Sequence, residues 1–127
     1  IIAAHEGHTE MVQLLCDLGA DVHRAANDGR RPIHAAARDG HGKTVLLLLS
    51  LRADINANDN QGKTPLILAS FYGHSHEVRI LLTHKCDPSL VAKGGNAADA
   101  ARASEAEDHV KSEILALLQQ YGGSEGA

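Results

Sequence analysis

Tryptophan is absent from this chain, and Phe71, Tyr72 and Tyr121 are its only aromatic residues. A core anchored on large rings is therefore excluded, and any packed interior must be assembled from Ala, Leu, Ile and Val. Cysteine is scarce as well. Cys16 and Cys86 stand far apart in a spacing that fits no zinc or redox motif, so a reduced, intracellular setting, cytoplasmic or nuclear, is expected. Long apolar runs are missing: the longest is Val45 to Leu49, well short of a membrane span, and no membrane insertion is expected. Basic residues are not in excess. The formal charge of −4 argues against nucleic acid as the main partner. Catalytic patterns are lacking too. There is no Gly-x-Ser-x-Gly elbow, no cysteine with an evident histidine partner and no phosphate-binding glycine loop, and Gly94-Gly95 falls in a turn. Carboxylates are scattered over turns and the final helix. No catalytic residue, cofactor or metal site is expected.

What the chain does contain is repetition. The stretch Gly62 to Asp87 returns 33 residues earlier: Gly62 becomes Gly29, Pro65 becomes Pro32, Ala69 becomes Ala36, and Gly73-His74 becomes Gly40-His41. Val78, Leu81 and Asp87 likewise map onto Val45, Leu48 and Asp54. A second step reaches Gly7-His8, Val12, Leu15 and Asp21 without a gap. A fixed period of this size is the mark of a solenoid array.

Each unit has a physical reading. Thr64 is suited to cap a helix, and Pro65 to stand first in it, where its missing N–H has no intrahelical partner to lose. Gly73 can end that helix in the left-handed conformation. Val78, Ile80, Leu81 and Leu82 then give a second helix an apolar stripe. Two short helices and a turn cannot bury such a stripe alone, so stacked neighbours must cover it.

With Thr64-Pro65-Leu66-Ile67-Leu68-Ala69 in one copy and Arg31-Pro32-Ile33-His34-Ala35-Ala36 in another, the unit resembles the ankyrin repeat and its T-P-L-H-x-A signature. Ile67 stands in place of the family histidine, and Arg31 in place of the capping threonine. The Gly-His pairs and the Ala20-Asp21 and Ala53-Asp54 turns extend the match over nearly the whole chain. The resemblance implies an all-α fold, an α-solenoid of stacked helix-turn-helix repeats with hairpin-like fingers. It forms one domain over 1–127, with copies at about 1–25, 26–58, 59–91 and 92–123.

Ile1 falls where His34 sits, so the first copy is truncated and further repeats are expected upstream. The apolar face of Ile1, Ile2, Met11, Val12 and Leu15 is then expected to pack on upstream repeats or on another subunit. Inner and outer helices of the next copy are expected at Pro32 to Asp39 and Lys43 to Leu51, with Leu46 facing solvent. The fourth copy fits only if its finger is one residue short, and its first helix is nearly all alanine. An insertion follows between Ala103 and Lys111. Val110, Ile114, Leu117, Leu118 and Tyr121 then line one face of a last helix, longer than the outer helices before it, as in a polar C-terminal cap stopped by Gly122-Gly123.

Of nine histidines, His8, His41 and His74 hold the Gly-His position, where the resemblance implies a ring tying the turn to a neighbouring repeat. His34 is expected to bond its own helix start. His74, His76, His84 and Cys86 do not form a zinc set, because the helix between them separates the pairs by roughly 12–15 Å.

The remaining chemistry is surface. The resemblance implies a protein partner lying along the concave side, against finger tips and the exposed positions of the inner helices. Those positions are His5 and Glu6, then Asn27, Asp28, Arg30, Arg38 and Asp39, then Asn60, Gln61, Lys63, Phe71 and Tyr72. Phe71 and Tyr72 stand where the neighbouring copy has Arg38-Asp39, and either they contact the partner or Phe71 folds onto the alanine-rich helix that follows. The expected function is a protein-binding scaffold; the alternative is a regulatory or targeting module within a longer enzyme, channel or assembly.

Overall fold

The computed structural model of the chain describes residues 25–121. The expectations for His5, Glu6, His8, Cys16, the truncated first copy and its apolar face lie outside the described residues, as does the stop at Gly122-Gly123. Six helices are described: α1 (Pro32–Arg38), α2 (Gly42–Ser50), α3 (Pro65–Phe71), α4 (Ser75–Thr83), α5 (Ala97–Ala103) and α6 (Asp108–Tyr121). They form two layers. The short helices α1, α3 and α5 pack side by side, α2, α4 and α6 do the same behind them, and each inner helix packs on the outer helix that follows it.

Each inner helix starts by a different route to the same end, satisfying N–H groups that have no intrahelical acceptor. Thr64 Oγ1 accepts the Ile67 amide at 3.2 Å. Arg31 has no hydroxyl, and the His34 ring accepts the Arg31 amide at 3.0 Å instead. At α5, Asn96 Oδ1 accepts the Asp99 amide at 3.0 Å while Asp99 Oδ2 accepts the Asn96 amide at 3.1 Å, a reciprocal capping box.

Helices α1 and α3 end on Gly40 and Gly73, at φ of +77° and +75°, where a side chain would be strained, and α5 ends on Ser104 in extended backbone. The turn places the His41 and His74 amides 2.9 Å from the Ala36 and Ala69 carbonyls. His74 Nε2 donates across the stack to the Arg38 carbonyl at 2.8 Å, the role expected of that position. The outer helices end in the same bond pattern, with the Ala53 and Cys86 amides on the Leu48 and Leu81 carbonyls, but Arg52 and Lys85 occupy the left-handed position there.

The fingers keep tight turns, and no strand occurs among the described residues. Ala26 donates to the Arg30 carbonyl and Asp59 to the Lys63 carbonyl, 33 positions apart. The third finger closes earlier, with Ala92 donating to the Gly95 carbonyl at 3.0 Å. That early closure is the missing residue of the fourth copy. Adjacent fingers are stitched together: the Asn60 amide and Nδ2 each donate at 3.0 Å to the Asp28 and Asn27 carbonyls, and the Lys93 amide reaches the Gln61 carbonyl at 3.2 Å.

The core is a continuous apolar seam between the layers, through Ile33, Val45, Leu48, Leu66, Val78, Leu81 and Ile114. Two expectations need correction. The inner and outer helices of the second copy run Pro32–Arg38 and Gly42–Ser50, so each outlying end differs by one residue. Tyr121 continues the apolar stripe of α6 but is 42% exposed, one turn past the buried Ile114, Leu117 and Leu118 and the half-buried Val110. The His34 ring accepts the Arg31 amide, the bond to its own helix start expected of it. Helix α6 spans 14 residues against nine in α2 and α4, and Leu46 faces solvent.

Candidate functional site on the inner-helix face

Stacking α3 between α1 and α5 brings the aromatic pair to the inner face of the array. Tyr72 caps α3 and Phe71 is its last residue. Their rings meet edge to face, with centroids 5.1 Å apart and planes at 86°, yet Phe71 stays 39% and Tyr72 44% exposed. The Arg38 guanidinium, reaching from the end of α1, lies 5.5 Å from the Tyr72 centroid in a cation–π arrangement. Asp39, the next residue, is half-buried.

Between α3 and α5 the surface opens into a hollow of about 170 Å³. Ile67, Leu68, Phe71 and Tyr72 form one wall, Ala100 and Ala103 the other, with Lys63, Ala92, Gly94 and Gly95 at the finger end. Phe71 does not fill the space left by the alanines; both line it.

The finger residues behave differently. Arg30 lies 3.7 Å from Asp28 and 3.8 Å from Asp59, whose carboxylate is buried. The same carboxylate accepts the Gln61 and Lys63 amides at 2.9 Å each. Arg30 is therefore committed to pairing within its own finger and across to the next, and Asn60 likewise joins the two fingers. Gln61 is exposed and Lys63 half-buried. The site residues thus divide into Lys63, Phe71 and Tyr72 lining the hollow, Arg38 on the Tyr72 ring, and a finger row of Asn27, Asp28, Arg30, Asn60 and Gln61. Ile67, Gly94, Gly95, Ala100 and Ala103 were missed. The signal in the sequence was the alanine-rich inner helix of the fourth copy following the copy that carries Phe71 and Tyr72.

Two titratable groups away from the hollow are shifted by their surroundings. Burial pushes the Cys86 thiol up to about 12, so the reactive thiolate is scarce at neutral pH. Ser89 hydroxyl and amide bonds hold the exposed Asp87 carboxylate below its usual value. Among the described residues no group of three His, Cys, Asp or Glu side chains is placed to hold a metal ion, and no helix is long and apolar enough to cross a membrane.

Comparison with known proteins adds two matches. A family model described as ankyrin repeats (3 copies) matches residues 1–59, and one described as ankyrin repeat matches residues 61–93. No curated protein matches the chain.

Proposed function

This chain belongs to the ankyrin-repeat family, and from that premise we propose that it is a scaffold that binds a partner protein on the inner-helix face beside α3. Ankyrin repeats are protein–protein interaction modules and typically non-catalytic. The observation that supports this face is the exposed Phe71–Tyr72 pair with Arg38 stacked on it. Rings left at the surface in a chain with so few of them offer contact area at small entropic cost, and Arg and Tyr are the residue types most enriched in interface hot spots. The finger row from Asn27 to Gln61 forms the rim of the contact.

The test is a selection of binders from a phage-displayed random peptide library against the full chain. Tyr72→Ala is expected to weaken the selected binders by roughly 1–3 kcal/mol. It is expected to lower stability by no more than about 1 kcal/mol, the scale of one exposed cation–π contact. Leu81→Ala, at a fully buried position, should instead cost about 2–5 kcal/mol of stability. Unfolding by Tyr72→Ala, with residual binding at full strength, would show that the ring is structural and the face wrongly assigned.

A further inference from the structure

We infer that the hollow between α3 and α5 is a socket for a single large apolar side chain, aromatic or branched aliphatic, carried by an acidic segment of the partner protein. This rests on the inner-face reading above and specifies what that face takes. The inner helices α1, α3 and α5 succeed one another in register, but α5 has only alanines to set against the ring-bearing helix α3. The remaining space is real. A Cβ built on Gly94 would meet nothing within 4 Å. At about 170 Å³ the hollow compares with an apolar protein cavity of about 150 Å³ that takes up benzene. Its walls are hydrocarbon and ring, so an apolar side chain gains there by leaving water, whereas a polar one would lose its hydrogen bonds.

Charge around the opening selects what flanks that side chain. Lys63 stands in the wall, Arg38 lies on the Tyr72 ring, and Lys93 precedes Gly94. The neighbouring carboxylates are already engaged. Asp99 holds the Asn96 amide and pairs with Arg102 at 3.2 Å, and Asp59 holds two amides and Arg30. Among the described residues, Lys63 is the one charged side chain in the lining of the hollow, on a chain of net charge −4. Carboxylates beside the apolar anchor would meet cations there, and a basic segment would be repelled.

The peptide selection tests this directly. Peptides recovered on the full chain should share one Phe, Tyr, Leu or Ile next to Asp or Glu. A fluorescein-labelled peptide of that consensus should bind Ala103→Leu and Gly94→Leu, both of which fill the hollow, at least about tenfold more weakly. Ala116→Leu, at an exposed site on α6, should bind it unchanged. Both socket variants should keep the parent melting temperature, since Ala103 is exposed and Gly94 is not in the left-handed region. Full-strength binding to both folded socket variants, with Tyr72→Ala still weakened, overturns the socket and leaves the inner-face reading standing. Indifference to Tyr72→Ala as well overturns both. A basic consensus, or displacement of the peptide by an equal concentration of single-stranded oligonucleotide, overturns the acidic partner.

Discussion

His34 shows how one side chain can serve three backbone groups. Its Nδ1 accepts the Arg31 amide at 3.0 Å, and its Nε2 lies 2.8 Å from the Ala57 carbonyl and 3.1 Å from that of Lys63. Amides only donate and carbonyls only accept, so the ring is neutral with its proton on Nε2. Burial pushes its pKa below the ordinary 6.5, outweighing the carbonyl bonds and the Asp59 charge that act the other way. The unfolded chain therefore takes up a proton here more readily than the folded one. Stability from this site is intact above pH 6.5 and is lost as pH falls through that value toward the lowered folded pKa. Urea midpoints should accordingly fall between about pH 7.5 and about pH 5. His34→Gln should flatten part of that slope and cost about 1–3 kcal/mol at neutral pH, because buried backbone groups lose partners. A variant with the parent's full pH slope would show that another group is responsible.

At the scale of the helix, termini decide more than interiors do. The inner helices have only seven residues each, too few to persist without caps and neighbours. Gly40 and Gly73, after α1 and α3, take the left-handed conformation freely, whereas Arg52 and Lys85, after α2 and α4, stand there at φ of 69° and 67°. Both side chains are exposed, so removing them sacrifices little packing. Lys85→Gly should raise stability by about 0.5–1 kcal/mol, the relief of left-handed strain less the extra entropy of an unfolded glycine. Asn96→Ala should act oppositely by about 1 kcal/mol, because it removes the capping box from a helix that buries almost only alanine. Thermal melts on the two single variants and their double mutant test both. The effects should add, since different helices are involved. A destabilising Lys85→Gly would mean that the strain is not there.

The whole molecule is held by nearest neighbours, as a solenoid must be. Helix α5 packs on α3 and α6, and α6 also covers α4. The anchoring side chains of α6, Ile114, Leu117 and Leu118, carry the last apolar stretch of the core. A chain ending at Ser104 should lose roughly 5 kcal/mol or more, since each fully buried aliphatic side chain contributes about 1.5–3 kcal/mol. Hydrogen exchange should show the loss falling steeply along the stack, greatest in α5 and α4 and least in α1. Uniform loss across all inner helices would indicate global cooperativity instead. The Arg79–Glu113 pair at 3.7 Å, exposed on both sides, adds little to this end of the array.

The period of 33, the helix starts at Pro32 and Pro65, the shortened third finger and the exposure of Leu46 were legible in the chain, whereas for Phe71 the sequence allows either a surface contact or packing on the next helix. Each legible feature is a local property: a cap, a proline, a left-handed glycine or a helical stripe is set by residues within a few positions of one another. The ankyrin architecture followed because those signals recur in step. Tertiary structure alone decided which surface residues are free and which are committed. Arg30 looked available until stacking set its guanidinium beside the buried Asp59, 29 residues on. Tyr121 looked like a core residue until the seam closed at Leu118, one turn earlier. The hollow is the clearest case. Neither Phe71 nor Ala103 encodes it, because an unfilled volume belongs to the gap between two repeats and depends on side chains that meet only when α5 docks on α3.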